Sequence, residues 1–291
     1  MPPLDLILNV AVGGVLTGLV YGLMALGLSV IFGVIRVVNF AHGEMMAAAM
    51  FLAFGGFTLL GLDPLLMLVP IAALLFAAGY ALQAGLINSF INRPEHSQFI
   101  LLVGVAIVLV NVLLMLFGPD AHGVQTSYSF DSFELGPLIV DATKAYAALA
   151  ALLAAAVLFA FFRFTLLGQA IRACADNYTG ALVIGLNVSR LYALTFGIGT
   201  ACVGAAGAVL ILITDVTPAL GPVYTLQAFI IVIIGGLGSM PGALLGGVLI
   251  GLTEALAGLF FTPSAKSMFA VAALVIVLLL RPQGIMGKRL R

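Results

Sequence analysis

Two places in the sequence combine ionisable side chains with long apolar stretches. The hexapeptide Asn39-Phe40-Ala41-His42-Gly43-Glu44 brings an amide, an imidazole and a carboxylate together after the first apolar stretch, and Glu254 lies deep within another. If these stretches cross a bilayer, such groups are functional candidates, because a charge at membrane depth is costly. The hexapeptide could break a helix and turn polar groups toward a solute path. Alternatively, Asn39 and His42 could cap and hydrogen-bond neighbouring helix ends.

Glu254 also has two interpretations. Its carboxylate could attract the ammonium group of a solute, or it could lie near the outer interface or bind a hydroxyl such as that of Thr253 or Tyr224. The structural alternative is favoured, since a permanent charge in a path for hydrophobic solutes would bind them too well.

Metal and redox sites are not expected. His42 has no second histidine at ligand spacing, and only His96 and His122 occur elsewhere, so a zinc site is unfavourable. Cys174 and Cys202 indicate neither a metal cluster nor a disulfide framework. We therefore expect no metal and no cofactor on this chain.

The composition identifies the medium that surrounds these residues. Of the 291 residues, 63% are hydrophobic and 8% are charged, and eleven basic residues balance eleven acidic ones. Soluble domains average about 45–50% apolar and about 25% charged residues. A soluble enzyme, a disordered chain, a nucleic-acid binder and a disulfide scaffold are therefore excluded. The remaining class is an integral membrane protein, here a single transmembrane domain over residues 1–291.

Apolar stretches predict an all-α, polytopic bundle with eight or nine spans, because about 20 apolar residues cross a bilayer as a helix. The stretches are Leu6–Ile35, Met45–Leu62, Leu65–Phe90, Phe99–Gly118, Ala145–Phe162, Leu191–Thr214, Tyr224–Ile234, Ala243–Phe261 and Met268–Leu280. Leu6–Ile35 is long enough to tilt or break, and no basic residue precedes it as in a cleavable signal. Tyr224–Ile234 is short, and the glycines of Gly235–Gly242 after it predict a turn or a re-entrant tip.

The few charges predict the orientation. Nine basic residues fall in alternate connections, whereas Lys144 and Lys266 fall on the other side with seven acidic residues. Basic residues near span ends stay in the cytoplasm, so the amino terminus is predicted outside and the carboxyl terminus inside. The nine are Arg36, Arg93, Arg163, Arg172, Arg190, Arg281, Lys288, Arg289 and Arg291.

One cytoplasmic connection, Arg163–Arg190, is amphipathic and neither a full span nor a simple polar turn. Ala170, Ala173, Cys174 and Ala181 recur at roughly helical spacing and predict a small-residue face that another protein could approach closely. A helix that rests on the membrane interface is the alternative.

Several segments, taken in order along nearly the whole chain, resemble one family of bacterial ABC importer permeases, the branched-chain amino acid permeases of the LivH type. The similarity is carried by Asn39–Glu44, Gly168–Ala173 with Ala181 and Gly185-Leu186-Asn187, Phe196 with Gly204–Ala208, Gly235–Ala243, and Leu280-Arg281-Pro282-Gln283-Gly284. Thr179-Gly180 departs from the pattern, where the family often carries acidic residues.

The resemblance implies partners that composition does not predict. They are a second related permease subunit, two cytoplasmic ATPase subunits that carry ATP and Mg, and a periplasmic substrate-binding protein. The complex would lie in the lipid of a bacterial inner membrane. No nucleic-acid partner is expected. This chain contains no GxxxxGK[ST] phosphate loop, so it is not expected to be an enzyme. The residues expected to couple the permease to the ATPases are Gly168, Ala170, Arg172, Ala173, Asp176, Ala181, Gly185 and Asn187.

Candidates for the translocation path follow from the two interrupted stretches, one in each half of the chain, since paired interruptions mark central sites in many transporters. Close helix packing explains the glycines after position 241 equally well. The candidates are Asn39, His42, Glu44, Gly236, Gly238 and Glu254.

The function expected is ATP-driven import of branched-chain or other hydrophobic amino acids. A permease of the same class for urea, amides or other amino acids stays open, because the binding protein largely selects the substrate. An ion-coupled secondary transporter, with Glu254 or His42 and Glu44 as a proton site, is a further alternative. The Arg163–Arg190 connection disfavours it, since a solitary transporter would not need such a loop.

Overall fold

The computed structural model describes residues 3–91, 93–136, 138–262 and 265–287, and in them the predicted all-α membrane fold is confirmed. Eight helices are long and apolar enough to cross a membrane, and a ninth, Lys266–Leu280, is shorter. The helices are α1 (Leu4–Ile35), α2 (His42–Leu60), α3 (Pro64–Gly85), α4 (Glu95–Phe117), α5 (Ala142–Phe164), α6 (Leu166–Asp176), α7 (Tyr178–Val183), α8 (Val188–Leu210), α9 (Gly221–Gly235), α10 (Met240–Phe260) and α11 (Lys266–Leu280). Strands β1 (Ser132–Leu135) and β2 (Leu138–Asp141) form an antiparallel hairpin.

The first helix is continuous over 32 residues and is not broken at its glycines. These glycines serve helix packing instead. A Cβ atom at Gly14 would lie 2.8 Å from the carbonyl oxygen of Gly251, and one at Gly18 would lie 2.7 Å from that of Gly247. Small residues let the backbones of α1 and α10 approach this closely, as is typical of helix pairs in membranes.

The helices before and after α5–α7 repeat one arrangement in opposite directions. The first helix of each half packs along the third helix of the other half: α1 along α10, and α8 along α3. These are the two most extensive helix pairs. Helix α4 lies against α2 as α11 lies against α9, and α2 and α9 contact each other. The two halves, α1–α4 and α8–α11, therefore form an inverted repeat, with α2 and α9 at the interface between them.

Opposite charges collect at the two ends of the bundle. At the acidic side, the Tyr128 hydroxyl donates to Asp63 Oδ1 (2.9 Å), and His122 pairs with Val216 through backbone hydrogen bonds. The arginine-rich side carries α6, α7 and residues 281–287. Lys288, Arg289 and Arg291 lie outside the described residues.

The Gly235–Gly242 segment is a turn between α9 and α10 on the arginine-rich side. Gly236 (φ 104°) and Gly238 (φ 77°) adopt left-handed conformations that favour glycine. Gly238 packs against Gly33, near the end of α1, and the Ile285 amide donates to the Ile234 carbonyl oxygen (2.8 Å). Of the two alternatives from the sequence, the turn describes this segment.

Candidate functional site

The hexapeptide Asn39–Glu44 lies at mid-depth of the bundle rather than at the end of the first span. The His42 ring donates from Nε2 to the carbonyl oxygen of Met24, at 3.0 Å. Met24 lies about 16 Å from Ile35 at the end of α1, and equally far from Gly13, which packs beside Lys144 of the acidic side. After α1 ends, the chain therefore returns toward the middle of the membrane before α2 begins.

Helix α9 begins at the same place. The Gly43 amide donates to Thr225 Oγ1 (2.8 Å), and the Thr225 hydroxyl donates to Glu44 Oε2 (3.1 Å). Gly221, the first residue of α9, leaves room for Glu44: a Cβ atom there would lie 2.7 Å from the Glu44 Cγ atom. The amino-terminal ends of two interrupted helices, one from each half, thus meet around one carboxylate.

We call Asn39, His42, Gly43, Glu44 and Thr225 the central cluster. Glu44 is 3% exposed, and Asn39 and His42 are fully buried. Helix amino termini carry partial positive charge, so the convergence of α2 and α9 stabilises the Glu44 carboxylate. Asn39 Oδ1 accepts from the Ala41 amide (3.1 Å), and within the described residues His42 Nδ1 has no hydrogen-bond partner. The cluster is sealed between the two halves.

Glu254 belongs to a different polar group. Its Oε1 atom accepts a hydrogen bond from Gln227 Nε2 at 3.0 Å, and Tyr21 lies close to both side chains. Among the described residues, neither Thr253 nor Tyr224 hydrogen-bonds to Glu254, and the Thr253 hydroxyl donates to the Leu249 carbonyl oxygen instead. We call Tyr21, Gln227 and Glu254 the outer cluster, because Tyr21 lies about one turn closer to the acidic side than Met24, and Glu254 lies near the acidic-side end of α10.

Gly236 and Gly238 are not brought to either cluster. They form the α9–α10 turn, where Gly236 packs against Gly284 and Gly287. The interruption that matches Asn39–Glu44 is therefore the start of α9 at Gly221, and pairing Asn39–Glu44 with Gly235–Gly242 was wrong. The sequence signal for α9 was the shortness of the apolar stretch Tyr224–Ile234.

Thr225, Gln227 and Tyr21 were not predicted as site residues. Thr225 and Gln227 are polar residues inside the short apolar stretch Tyr224–Ile234, which was a usable signal. Tyr21 had no such signal, since tyrosine is common in apolar helices. In the described ranges, no group of three potential metal ligands is found.

The Arg163–Arg190 connection forms two helices with well-defined caps. Thr165 Oγ1 accepts from the Gly168 amide (3.0 Å), Asn177 Oδ1 from Gly180 (2.8 Å) and Asn187 Oδ1 from Arg190 (3.0 Å). Such caps satisfy amide groups that a helix start leaves unpaired. Gly185 closes α7 with a φ of 82°. Gly168 and Asn187 therefore have structural roles in this loop.

The predicted small-residue face of this loop is not one surface. Gly168, Ile171 and Cys174 form the buried face of α6, and Ala181 of α7 is also buried, whereas Ala173 is exposed. Burial raises the pKa of the Cys174 thiol, as expected for a packed, neutral side chain. The exposed surface carries Arg172, Asp176 and the apolar residues Leu182, Val183 and Ile184, with Val183 81% and Ile184 72% exposed.

Comparison with known proteins finds similarity over nearly the whole chain. Residues 10–278 match the family described as branched-chain amino acid transport system, permease component. The chain belongs to this family. It is a membrane permease component of an ABC transport system and not itself an enzyme. No solved structure matches it.

Named relatives of this permease cover it almost completely. The high-affinity branched-chain amino acid transport system permease protein BraD of Pseudomonas aeruginosa is 31% identical over 99% of this chain and 98% of its own length. LivH of Salmonella typhimurium is 30% identical, with 94% of both chains covered. A probable LivH of Methanocaldococcus jannaschii is 25% identical, with 91% of this chain and 88% of its own covered.

Proposed function

We propose that this permease is the membrane-spanning subunit of an ATP-driven importer that translocates branched-chain or other hydrophobic amino acids. The observation that carries the proposal is the meeting of α2 and α9 at mid-depth, around Glu44 and Thr225. Interrupted helices at the interface of an inverted repeat are typical of central transport sites. The names of BraD and LivH support the substrate class.

The energy source in this proposal is external to the chain. No GxxxxGK[ST] motif occurs in the sequence, so two ATPase subunits would hold ATP and Mg, and a second related permease would complete the membrane part. An exposed apolar patch on α7 and its carboxyl end supports an ATPase contact, because such a patch at an aqueous face usually marks a protein interface. The patch consists of Leu182, Val183 and Ile184. Ala170 and Ala173 remain candidate neighbours of that contact.

The orientation follows from the charges. The arginine-rich side would face the cytoplasm of a bacterial inner membrane, with the carboxyl terminus inside and the amino terminus outside. The acidic side would then receive amino acids from the periplasmic binding protein.

Reconstitution with the ATPase subunits, the partner permease and the binding protein tests the proposal. A Val183→Asp substitution should abolish copurification of the ATPases and reduce ATP-driven leucine uptake at least about tenfold, because a charge would replace a buried apolar contact. His96→Asp, an exposed change outside α6 and α7 on the same side, is the control and should leave both unchanged. Leucine uptake without ATP, or ATPases that never associate with the wild type, would contradict the proposal.

A further inference from the structure

Glu254 is an ionisable residue that is only half-buried in a membrane-spanning helix. Ionisable residues at such depth almost always face a water-filled cavity or another polar group, because contact with lipid is costly. We infer that Tyr21, Gln227, Glu254 and Lys266 form a recognition site for the charged end of an α-amino acid on the wall of the translocation path. This inference rests on the proposed function.

The site lies on the route from the acidic side to the central cluster. Tyr21 precedes Met24, whose carbonyl oxygen binds His42 of the central cluster, by about one turn of α1 toward the acidic side. On α10, Gly251 packs against Gly14 of α1, in the acidic-side part of the bundle. An amino acid that enters from the acidic side would therefore meet Glu254 before it reaches the interface between the two halves.

One hydrogen bond holds the Glu254 carboxylate in place and leaves its second oxygen for a cation. Gln227 Nε2 donates to Oε1, and no other hydrogen bond to this carboxylate is found in the described part of the chain, so Oε2 is available to an ammonium group. Tyr21 lies close to both Gln227 and Glu254. Charge-assisted hydrogen bonds of this type are stronger than neutral ones.

Lys266 supplies the opposite charge beside this carboxylate. Its side chain packs over Gly258, where a Cβ atom would lie 2.8 Å from Cε, and Gly258 follows Glu254 by one turn on the same face of α10. An α-amino acid carries its ammonium and carboxylate groups on one carbon, and this pair of charges matches both. Urea and neutral amides carry neither charge, so the site disfavours the alternative substrates that the sequence left open.

An apolar surface adjoins the two charges. Val223 precedes Gln227 by one turn on the same face of α9 and is exposed. It provides a contact for an aliphatic side chain next to the charged groups. The arrangement therefore fits a zwitterion with an apolar side chain.

Uptake measurements test the two charges. With the binding protein saturating, Glu254→Gln and Lys266→Met should each lower the maximal rate of leucine uptake about tenfold, which corresponds to about 1.4 kcal/mol. ATPase activity in the presence of the liganded binding protein should persist, since the ATPase contacts are unchanged. Thr253→Val, whose hydroxyl bonds only within its own helix turn, is the matched control and should retain the wild-type rate.

Water accessibility tests the location of the site. In a background that lacks Cys174 and Cys202, a Glu254→Cys variant in membranes should react with a charged thiosulfonate reagent, and leucine should slow the reaction. Val108→Cys, at an exposed apolar position in the middle of α4, should stay unmodified because lipid covers it. If the Glu254→Cys variant is as unreactive as the control, or if Glu254→Gln imports leucine at the wild-type rate, the site is wrong although the importer stands. If the wild type imports no leucine, the proposed function itself fails.

Discussion

Two carboxylates inside the spans, Glu44 and Glu254, occupy very different surroundings. Glu44 is sealed where α2 and α9 meet, and it accepts a hydrogen bond from a residue of the opposite half. Glu254 is half-buried near the acidic side, and its partner Gln227 lies one helix away within the same half. The central cluster joins the two halves of the inverted repeat, whereas Glu254 keeps part of its side chain exposed.

This difference suggests a division of roles between the clusters. A sealed group whose hydrogen bonds cross the interface contributes to stability and to the registration of the two halves, since unpairing it is costly. A half-exposed group can exchange its solvent contacts for a ligand at a small cost. Changes in the central cluster should therefore reduce stability and transport together. A change toward the acidic side should reduce one of the two and leave the other unchanged.

The strongest test of the sealed interface is Gly43→Val. A Cβ atom at Gly43 would overlap the Gly221 carbonyl oxygen and the Thr225 amide, neither of which can move without shifting α9. We expect the free energy of unfolding to fall by at least about 3 kcal/mol, with loss of uptake. Thermal unfolding in detergent measures this, and Gly55→Val, at a glycine with open space around it, is the control. Equal stability of the two variants would contradict the close contact.

A smaller effect is expected from Thr225→Val, which keeps the shape of the side chain but removes its hydroxyl. The Gly43 amide and the Glu44 carboxylate would both lose a partner, so the loss should be about 2 kcal/mol. Thr58→Val is the matched control, because its exposed hydroxyl bonds only to its own helix at the Phe54 carbonyl oxygen (2.9 Å). If both variants unfold at the same temperature, the hydroxyl does not link the halves.

The smallest effect is expected at the acidic side, from Tyr128→Phe. Loss of its hydrogen bond to Asp63 should cost about 1 kcal/mol at neutral pH and leave uptake unchanged. Burial, and then the hydrogen bond to Asp63, raise the pKa of Tyr128 above its ordinary value of 10.0. The unfolded tyrosine ionises near pH 10 while the folded one stays neutral, so this contribution is complete below pH 10 and declines as the pH rises above it.

Unfolding curves at pH 8 and pH 11 measure this dependence. The stability of the wild type should fall more steeply between these values than that of Tyr128→Phe. Tyr178→Phe, at an exposed tyrosine on the opposite side, should follow the wild type. An equally steep fall in Tyr128→Phe would show that another group dominates the alkaline transition.

The sequence singled out the polar hexapeptide Asn39–Glu44 but did not predict its surroundings. Asn39, His42 and Glu44 stand out because polar residues are rare beside apolar stretches, and this signal is local. Thr225 lies 182 residues from Gly43, and no spacing rule connects positions so far apart. The prediction of one small-residue face from Ala170 to Ala181 was wrong for a related reason. Residues at helical spacing share a face only within one helix, and α6 ends at Asp176.

Composition and the apolar stretches determined the class of protein, since a chain with 63% hydrophobic residues can cover its surface only with lipid. The same sequence also predicted eight or nine spans and the amphipathic loop, because these depend on the length and periodicity of neighbouring residues. The tertiary structure decided that α2 and α9 both begin at mid-depth, that Glu254 pairs with Gln227, and that the two halves are inverted. These features depend on contacts between distant helices, and packing in three dimensions selects such contacts from many that the local sequence allows equally.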